Sequence, residues 1–309
     1  MEFLYALEEL RTPWLDAIVS ALTHLGGETV FLLAALIVLW CVDRREGYYL
    51  LSVGFLGTLT NQFLKITCRI PRPWVRDPAF TIVESARADA TGYSFPSGHS
   101  TSSVGTFGVI ATDTRRPWLR WTSIVLCFLI PFTRLYLGVH TPADVLVGSA
   151  ISLFFLVVLR PVVYHENGQH MAKLLLVMLT LSAAFTAYME FFPFPADVDP
   201  DNLHSAVKNS YTLLGALVGM LFVWHMDQKR TYATEAVWYI QILKTVLGVL
   251  LVLAIKEGLK LPLDALFGGH MIGRGIRYLL IVLFAGILWP MTFPWFQKLG
   301  QKLSAKRRV

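Results

Sequence analysis

The feature that most restricts this chain is the length of its apolar runs. Stretches 122–137, 144–159, 171–192, 211–226 and 275–291 lie at or near the roughly 17–25 residues that cross a bilayer as a single helix. A water-soluble fold would leave such runs solvated on every side, so the chain reads as an integral membrane protein. Of its 309 residues 55% are hydrophobic and 16% charged, against about a quarter charged in soluble domains. Disorder, collagen-like repeats and a disulfide-stapled secreted scaffold are excluded. Cys41 and Cys127 sit inside apolar runs and Cys68 beside polar residues, which offers neither a disulfide framework nor a CxxC metal site. The net charge of +6 comes with no nucleic-acid fingerprint; in a membrane chain basic residues first report topology.

The N-terminus lacks a charged n-region and a small-residue cleavage site, so the first apolar segment is expected to remain in the mature protein. Residues 3–24 alternate Leu, Phe and Trp with Glu8, Glu9, Arg11, Asp16 and His24, a pattern for a helix lying at the interface; Gly26-Gly27 breaks it. Nine spans are predicted beyond it, at about 28–42, 47–66, 98–112, 120–137, 143–160, 171–192, 208–226, 236–256 and 274–292. The fold class is therefore an all-α polytopic transmembrane bundle preceded by an interfacial helix. Fourteen basic residues, from Arg44 and Arg45 to the tail Lys298, Lys302, Lys306, Arg307 and Arg308, fall in segments on one side. That side is expected to be cytoplasmic. A polar connector, His165 to His170, divides residues 1–165, which hold the motifs, from residues 166–309, which add four spans and the basic tail.

Three polar clusters end spans on the opposite, outer side: Lys65-x6-Arg72-Pro73, then Pro96-Ser97-Gly98-His99, then Arg134-x5-His140-x3-Asp144. Ionisable groups near membrane depth are costly and usually mark function. Three cations, two histidines and a carboxylate converging on one face suit an anion held while a nucleophile attacks it. Ser97 is placed to cap a helix and Gly98 to let backbone amides approach an oxyanion. Thr141-Pro142 begins another helix, and Asp144, one turn beyond His140, would fix the ring in one tautomer and leave the other nitrogen free to attack phosphorus. His99 would protonate the leaving oxygen. Lys65, Arg72 and Arg134 would neutralise phosphoryl oxygens.

Together these clusters resemble the three signature motifs of the type 2 phosphatidic acid phosphatase superfamily, over roughly residues 20–160. The resemblance implies a metal-independent hydrolase that forms a phosphohistidine, with His140, His99 and Asp144 catalytic and with Lys65, Arg72, Ser97, Gly98 and Arg134 binding phosphate. It implies no metal and no cofactor. The third motif commonly begins Ser-Arg and here reads Thr133-Arg134, which keeps a hydroxyl. Arg134-Leu135-Tyr136-Leu137-Gly138-Val139-His140-Thr141-Pro142-Ala143-Asp144 is also similar to the sphingosine-phosphate phosphatase branch. The expected substrate is a lipid phosphate or pyrophosphate, cleaved at the outer face of a bacterial plasma membrane or, in a eukaryotic internal membrane, at the lumenal face. A lipid or anion transporter with a phosphatase-like seat is the alternative.

Elsewhere the readings are structural. Lys256 with a carboxylate such as Glu190 forms a candidate intramembrane ion pair, with gating of the lipid or binding of a second anion as the alternative, while Gln241, Lys244 and Glu257 share its span. Gly215-x3-Gly219 is a helix-packing signal, compatible with a homodimer but expected to act within the chain. Trp14, Trp118, Trp121, Trp289 and Trp295 are assigned to an interfacial belt, with Tyr93. Arg69, Arg76 and Arg87 are read as solvated loop charge. Trp40-x-x-Asp43 and Trp224-x-x-Asp227 form a faint echo, as do Phe95 to His99 and Phe267 to His270.

Overall fold

A computed structural model describes residues 1–166, 168–232 and 234–306; Asn167 of the connector and Arg307 and Arg308 of the tail lie outside them. All regular structure among the described residues is helical: α1 (Glu2–Glu8), α2 (Pro13–Thr23), α3 (Glu28–Cys41), α4 (Arg44–Cys68), α5 (Pro73–Arg76), α6 (Gly98–Asp113), α7 (Pro117–Tyr136), α8 (Pro142–Val163), α9 (Gln169–Phe191), α10 (Pro200–Asp227), α11 (Trp238–Gly258), α12 (Lys260–Leu266), α13 (Met271–Leu283) and α14 (Phe293–Lys306). Among the described residues, six helical segments are long and apolar enough to cross a membrane, and a seventh arises if the bent pair Pro13–Gly26 and Glu28–Cys41 counts as one span. The expected nine are not reached on this criterion. The shortfall has a physical cause: α6 has only 16 residues and opens Gly-His-Ser-Thr-Ser-Ser, and α4 carries Asn61, Gln62 and Lys65 in its last two turns.

Residues 1–34, 49–161 and 193–206 form one compact unit. Its N-terminal segment is two helices and not one. Pro13 forces Thr12 into extended backbone, at φ −140° and ψ 149°, and then serves as the first residue of α2. Leu4 and Leu7 of α1 pack with Phe80, Ile82, Leu135 and Val145. Polar ties reinforce that packing. Tyr5 donates to Asp77 at 2.9 Å, Tyr136 to Asp16 at 2.7 Å, and Arg11 to the carbonyls of Tyr136 at 3.0 Å and Thr81 at 2.8 Å. Arg69 pairs with Asp197 and Arg87 with Glu84, so two of the three loop arginines serve the local structure.

Residues 35–48, 162–192 and 207–309 form the second compact unit. Its core joins Leu39 and Trp40 to Ile240, Ala285, Trp289, Phe293 and Phe296. Trp289, read as a belt residue, is 7% exposed in this core, whereas Trp14, Trp118, Trp121 and Trp295 are exposed. The tryptophan-aspartate echo is not a repeat of structure: Trp40 donates to the Ala285 carbonyl and Asp43 caps α4, while Asp227 takes a two-pronged bond from Arg44 at 2.7 Å and a hydroxyl from Tyr48 at 2.8 Å. Lys244 is 1% exposed and donates to the Trp40 carbonyl at 2.8 Å. The expected pairing of Lys256 with Glu190 is absent. Lys256 lies 3.8 Å from Glu257, its neighbour at the exposed end of α11.

Gly215 and Gly219 act within the chain. A Cβ on Gly215 would lie 1.9 Å from the Gly275 carbonyl oxygen, and one on Gly219 would lie 2.9 Å from Val282, so α10 and α13 touch backbone to backbone as small residues permit. Gly215→Leu should therefore lower the thermal unfolding midpoint in detergent by several degrees, an overpacking cost of about 1–3 kcal/mol or more. Gly258→Leu, where nothing stands within 4 Å, should leave it nearly unchanged. Equal midpoints, with a change only in the size of the assembly, would return Gly215 to a contact between copies.

Candidate active site

Every residue expected to act on phosphate lies in the first unit, and the turn from α7 to α8 organises them. Gly138 takes φ 78°, a left-handed conformation that side chains disfavour, and a Cβ there would also meet the Phe80 ring at 2.9 Å. This turn brings the Val139 amide back to the Arg134 carbonyl at 3.2 Å and sets His140 just before α8. There Thr141 and Asp144 cap each other, the Thr141 amide donating to Asp144 Oδ2 at 2.7 Å and the Asp144 amide to Thr141 Oγ1 at 3.4 Å. Asp144 Oδ2 also lies 3.4 Å from His140 Nδ1 and accepts the Ser94 hydroxyl at 2.5 Å. His140 and Asp144 are 2% and 1% exposed.

The tautomer of His140 follows from its other neighbour. Arg72 Nη1 is 2.9 Å from His140 Nε2, and a guanidinium has no acceptor. Nε2 therefore carries the lone pair and Nδ1 carries the hydrogen, directed toward Asp144. Burial, followed by the charges of Arg72, Arg134 and Lys65 and by His99, holds the His140 ring well below the ordinary imidazole range. Those four groups are close enough to bear on one ring. Burial and Arg134 bring Arg72 down to about 9, which leaves it charged at neutral pH.

The cations are held by oxygen atoms of the backbone. Arg72 donates to the carbonyls of Thr91, Gly92 and Val139 at 2.7, 3.0 and 2.9 Å. Lys65 donates to the Tyr93 carbonyl at 2.5 Å. Arg134 is fully buried and donates through Nη1 to the Thr23 hydroxyl at 2.8 Å, while its Nε and Nη2 are buried with no hydrogen-bond partner. An unpaired buried donor on a charged group costs about 1–3 kcal/mol or more, and two on one guanidinium suit the two oxygens of a phosphoryl group.

At the opening of α6, Ser97 is the N-cap, as expected, and its Oγ accepts the Ser100 amide at 3.3 Å and the Ser100 hydroxyl at 2.9 Å. A Cβ on Gly98 would meet only Asn61 Oδ1, at 3.8 Å, so its packing alone would admit a side chain and the backbone there stays open to approach. His99 is half-buried, with no hydrogen bond from its ring among the described residues.

Several participants were not expected. Ser94 holds Asp144, Thr23 holds Arg134, and Asn61 donates to the Pro96 carbonyl at 3.3 Å and to Thr101 at 3.0 Å, which secures the turn before α6. Asn61 was open to discovery, because it lies four residues before Lys65 on the same helical face. Thr23 and the carbonyls of residues 91–93 carry no such signal. Tyr93, assigned to the belt, supplies its carbonyl to Lys65, and its hydroxyl accepts the Asp199 amide at 3.4 Å.

These observations define an integral membrane protein with a buried, cation-lined seat around a neutral histidine. The chain belongs to the PAP2 superfamily: that family's model matches residues 45–168, and a model described as PAP2 superfamily phosphatase, transmembrane extension, matches residues 211–302. It is thus a phosphatase of that superfamily. It is 31% identical over 164 residues to a phosphatidylglycerophosphatase B of Bacillus subtilis, covering 48% of this chain and 76% of that one. It is 28% identical over 229 residues to a probable sphingosine-1-phosphate phosphatase of Dictyostelium discoideum, covering 70% and 54%, and 32% identical over 109 residues to an undecaprenyl-diphosphatase of Bacillus subtilis, covering 35% and 53%. The chain thus spans about half the length of the latter two. No solved structure matches it significantly.

The depressed His140 ring has a measurable sign. Its cation is the penalised form, so the unfolded chain takes up the proton first as pH falls. Stability should drop below about pH 6.5, by about 1.4 kcal/mol per unit of depression. Nitrogen-15 spectra of histidine-labelled protein should show His140 neutral, with its hydrogen on Nδ1, at pH 6. A midpoint at or above 6.5 would contradict the arrangement.

Proposed function

We propose that this chain, a lipid phosphatase, cleaves a lipid phosphate or pyrophosphate through a phosphohistidine at His140, without a metal ion. The observation that carries the reading is the His140 ring, whose Nδ1–H faces Asp144 while Nε2 presents its lone pair to a cation-lined seat. Arg134 Nε and Nη2 and the second hydrogen of Arg72 Nη2 take the phosphoryl oxygens, with Lys65 adding charge and the Gly98 amide lining the approach, while the Ser97 amide ties the start of α6 to the Asp144 carbonyl at 2.9 Å. As oxygen atoms arrive, Arg72 Nη1, its N–H bond intact, redirects its hydrogen bond from Nε2 to one of them and frees the lone pair. Nε2 then forms a bond to phosphorus as the bond to the leaving oxygen breaks, and His99 supplies the proton that oxygen needs. Asp144 stabilises the imidazolium that results. Water next attacks phosphorus, His99 takes its proton, the nitrogen–phosphorus bond breaks and phosphate leaves.

The substrates named for relatives, phosphatidylglycerophosphate, sphingosine 1-phosphate and undecaprenyl diphosphate, share a phosphate terminus on a long apolar chain. That shared chemistry is what we assign here. Nine membrane crossings, counting α4 and α6, put the three motif segments outside and the fourteen basic residues inside.

Phosphate release from a panel of lipid phosphates in EDTA tests the activity. Wild-type protein should turn over. His140→Ala should lose at least about a hundredfold, as removal of a nucleophile requires. Asp144→Asn should lose about as much, with binding of inorganic phosphate retained. Turnover that survives His140→Ala, or that strictly needs a divalent ion, would refute the mechanism.

Sidedness is tested by thiol labelling in a Cys68→Ser background, since Cys68 is exposed. An impermeant maleimide applied to intact cells should label Asp89→Cys and spare Gln228→Cys. The reverse pattern would invert the topology.

A further inference from the structure

The N-terminal helices lie outside the segment that matches the superfamily, residues 45–168, yet one of their side chains reaches the seat. Thr23, the last residue of α2, is 1% exposed, and its hydroxyl oxygen accepts Arg134 Nη1 at 2.8 Å. The hydroxyl oxygens of Thr23 and Thr133 are 3.0 Å apart, and Thr133 Oγ1 is 2.6 Å from the Ile130 carbonyl. A guanidinium can only donate, so Thr23 accepts from Arg134, and the single hydroxyl hydrogen of Thr133 lies within reach of both the Thr23 oxygen and the Ile130 carbonyl.

We infer that Thr23 is a positioning residue for phosphate binding: by engaging the Nη1 edge of Arg134 it turns Nε and Nη2, buried and without partners, toward the phosphoryl oxygens. This rests on the proposed phosphatase reading and adds to it a residue from outside the motif region. The helix that carries Thr23 is itself fixed to motif-bearing segments. Arg11 binds the Tyr136 carbonyl, two residues beyond Arg134, and Asp16 binds the Tyr136 hydroxyl. The Thr133 hydroxyl sits 3.0 Å from Thr23 Oγ1 and so helps to hold the acceptor in place. A rigid fork with two free prongs selects an anion that offers two oxygens at once, which is a terminal phosphate.

The test compares Thr23→Val, which keeps shape and removes the acceptor, with Thr23→Ser, which keeps the acceptor. Val should lower kcat/KM by about 10- to 100-fold, the size expected for a hydrogen bond to a charged group, and should raise the inhibition constant for inorganic phosphate in parallel. Ser should stay within about threefold of wild type on the same scale. In extended assays on an Arg134→Ala background, Thr23→Val should have almost no further effect, because the group it positions is gone. Retained activity in Thr23→Val, equal losses in Ser and Val, or full additivity with Arg134→Ala would each overturn the inference and make Thr23 a packing residue. If the Val variant does not fold, Thr23→Cys, with a weak acceptor of similar volume, carries the comparison with Ser. Wild-type protein inactive on every lipid phosphate would refute the phosphatase reading itself, a result distinct from active wild type with an unaffected Thr23 variant.

Discussion

Three cations around one histidine, Arg72 and Arg134 buried and Lys65 half-buried, are the constraint on which the first unit depends. Taking two guanidinium groups out of water is costly, and carboxylates do not repay it: Asp144 is occupied by Ser94, by the Thr141 amide and by His140. Carbonyl dipoles and a hydroxyl hold the cations in place. Such dipoles fix a guanidinium or an ammonium without cancelling its charge, so the seat stays positive. A full set of salt bridges would have been more comfortable for the protein and useless for binding an anion.

This requirement explains the long segment between α4 and α6. Residues 91–93 present successive carbonyls to Arg72 and Lys65, and two residues of the 193–206 stretch meet the same region, Asp197 at Arg69 and Asp199 at Tyr93. Two cations of the second unit are held differently: Arg44 gives Nε and Nη2 to Asp227, which also accepts the Tyr48 hydroxyl, and Lys244 gives its ammonium to two carbonyls.

What could be read in the sequence divides along the same line. The residues that bear charge were visible, because a cation or imidazole near membrane depth is rare enough to stand out, and the helix starts at Ser97 and Pro142 follow from capping chemistry that is local in sequence. Their partners were not visible. A carbonyl has no residue identity, and the Thr23 hydroxyl, 111 positions from Arg134, carries no sign of its role. The span count suffered from the site itself: the side chains that build the seat make α4 and α6 too polar, or too short, to register as spans. Lys256 misled for a related reason, since its place near a span end suggested burial while the structure exposes it beside Glu257.

The central claim is that His140 Nε2 becomes bonded to phosphorus. Rapid denaturation of the enzyme during turnover of a lipid phosphate labelled in its phosphoryl group, followed by peptide mapping under alkaline conditions that preserve phosphohistidine, measures this directly. Label on the peptide containing His140, lost on brief acid treatment and absent from His140→Ala, is the expected result. Turnover with no label on that peptide at any quench time, or stable label on a serine or threonine, would contradict it.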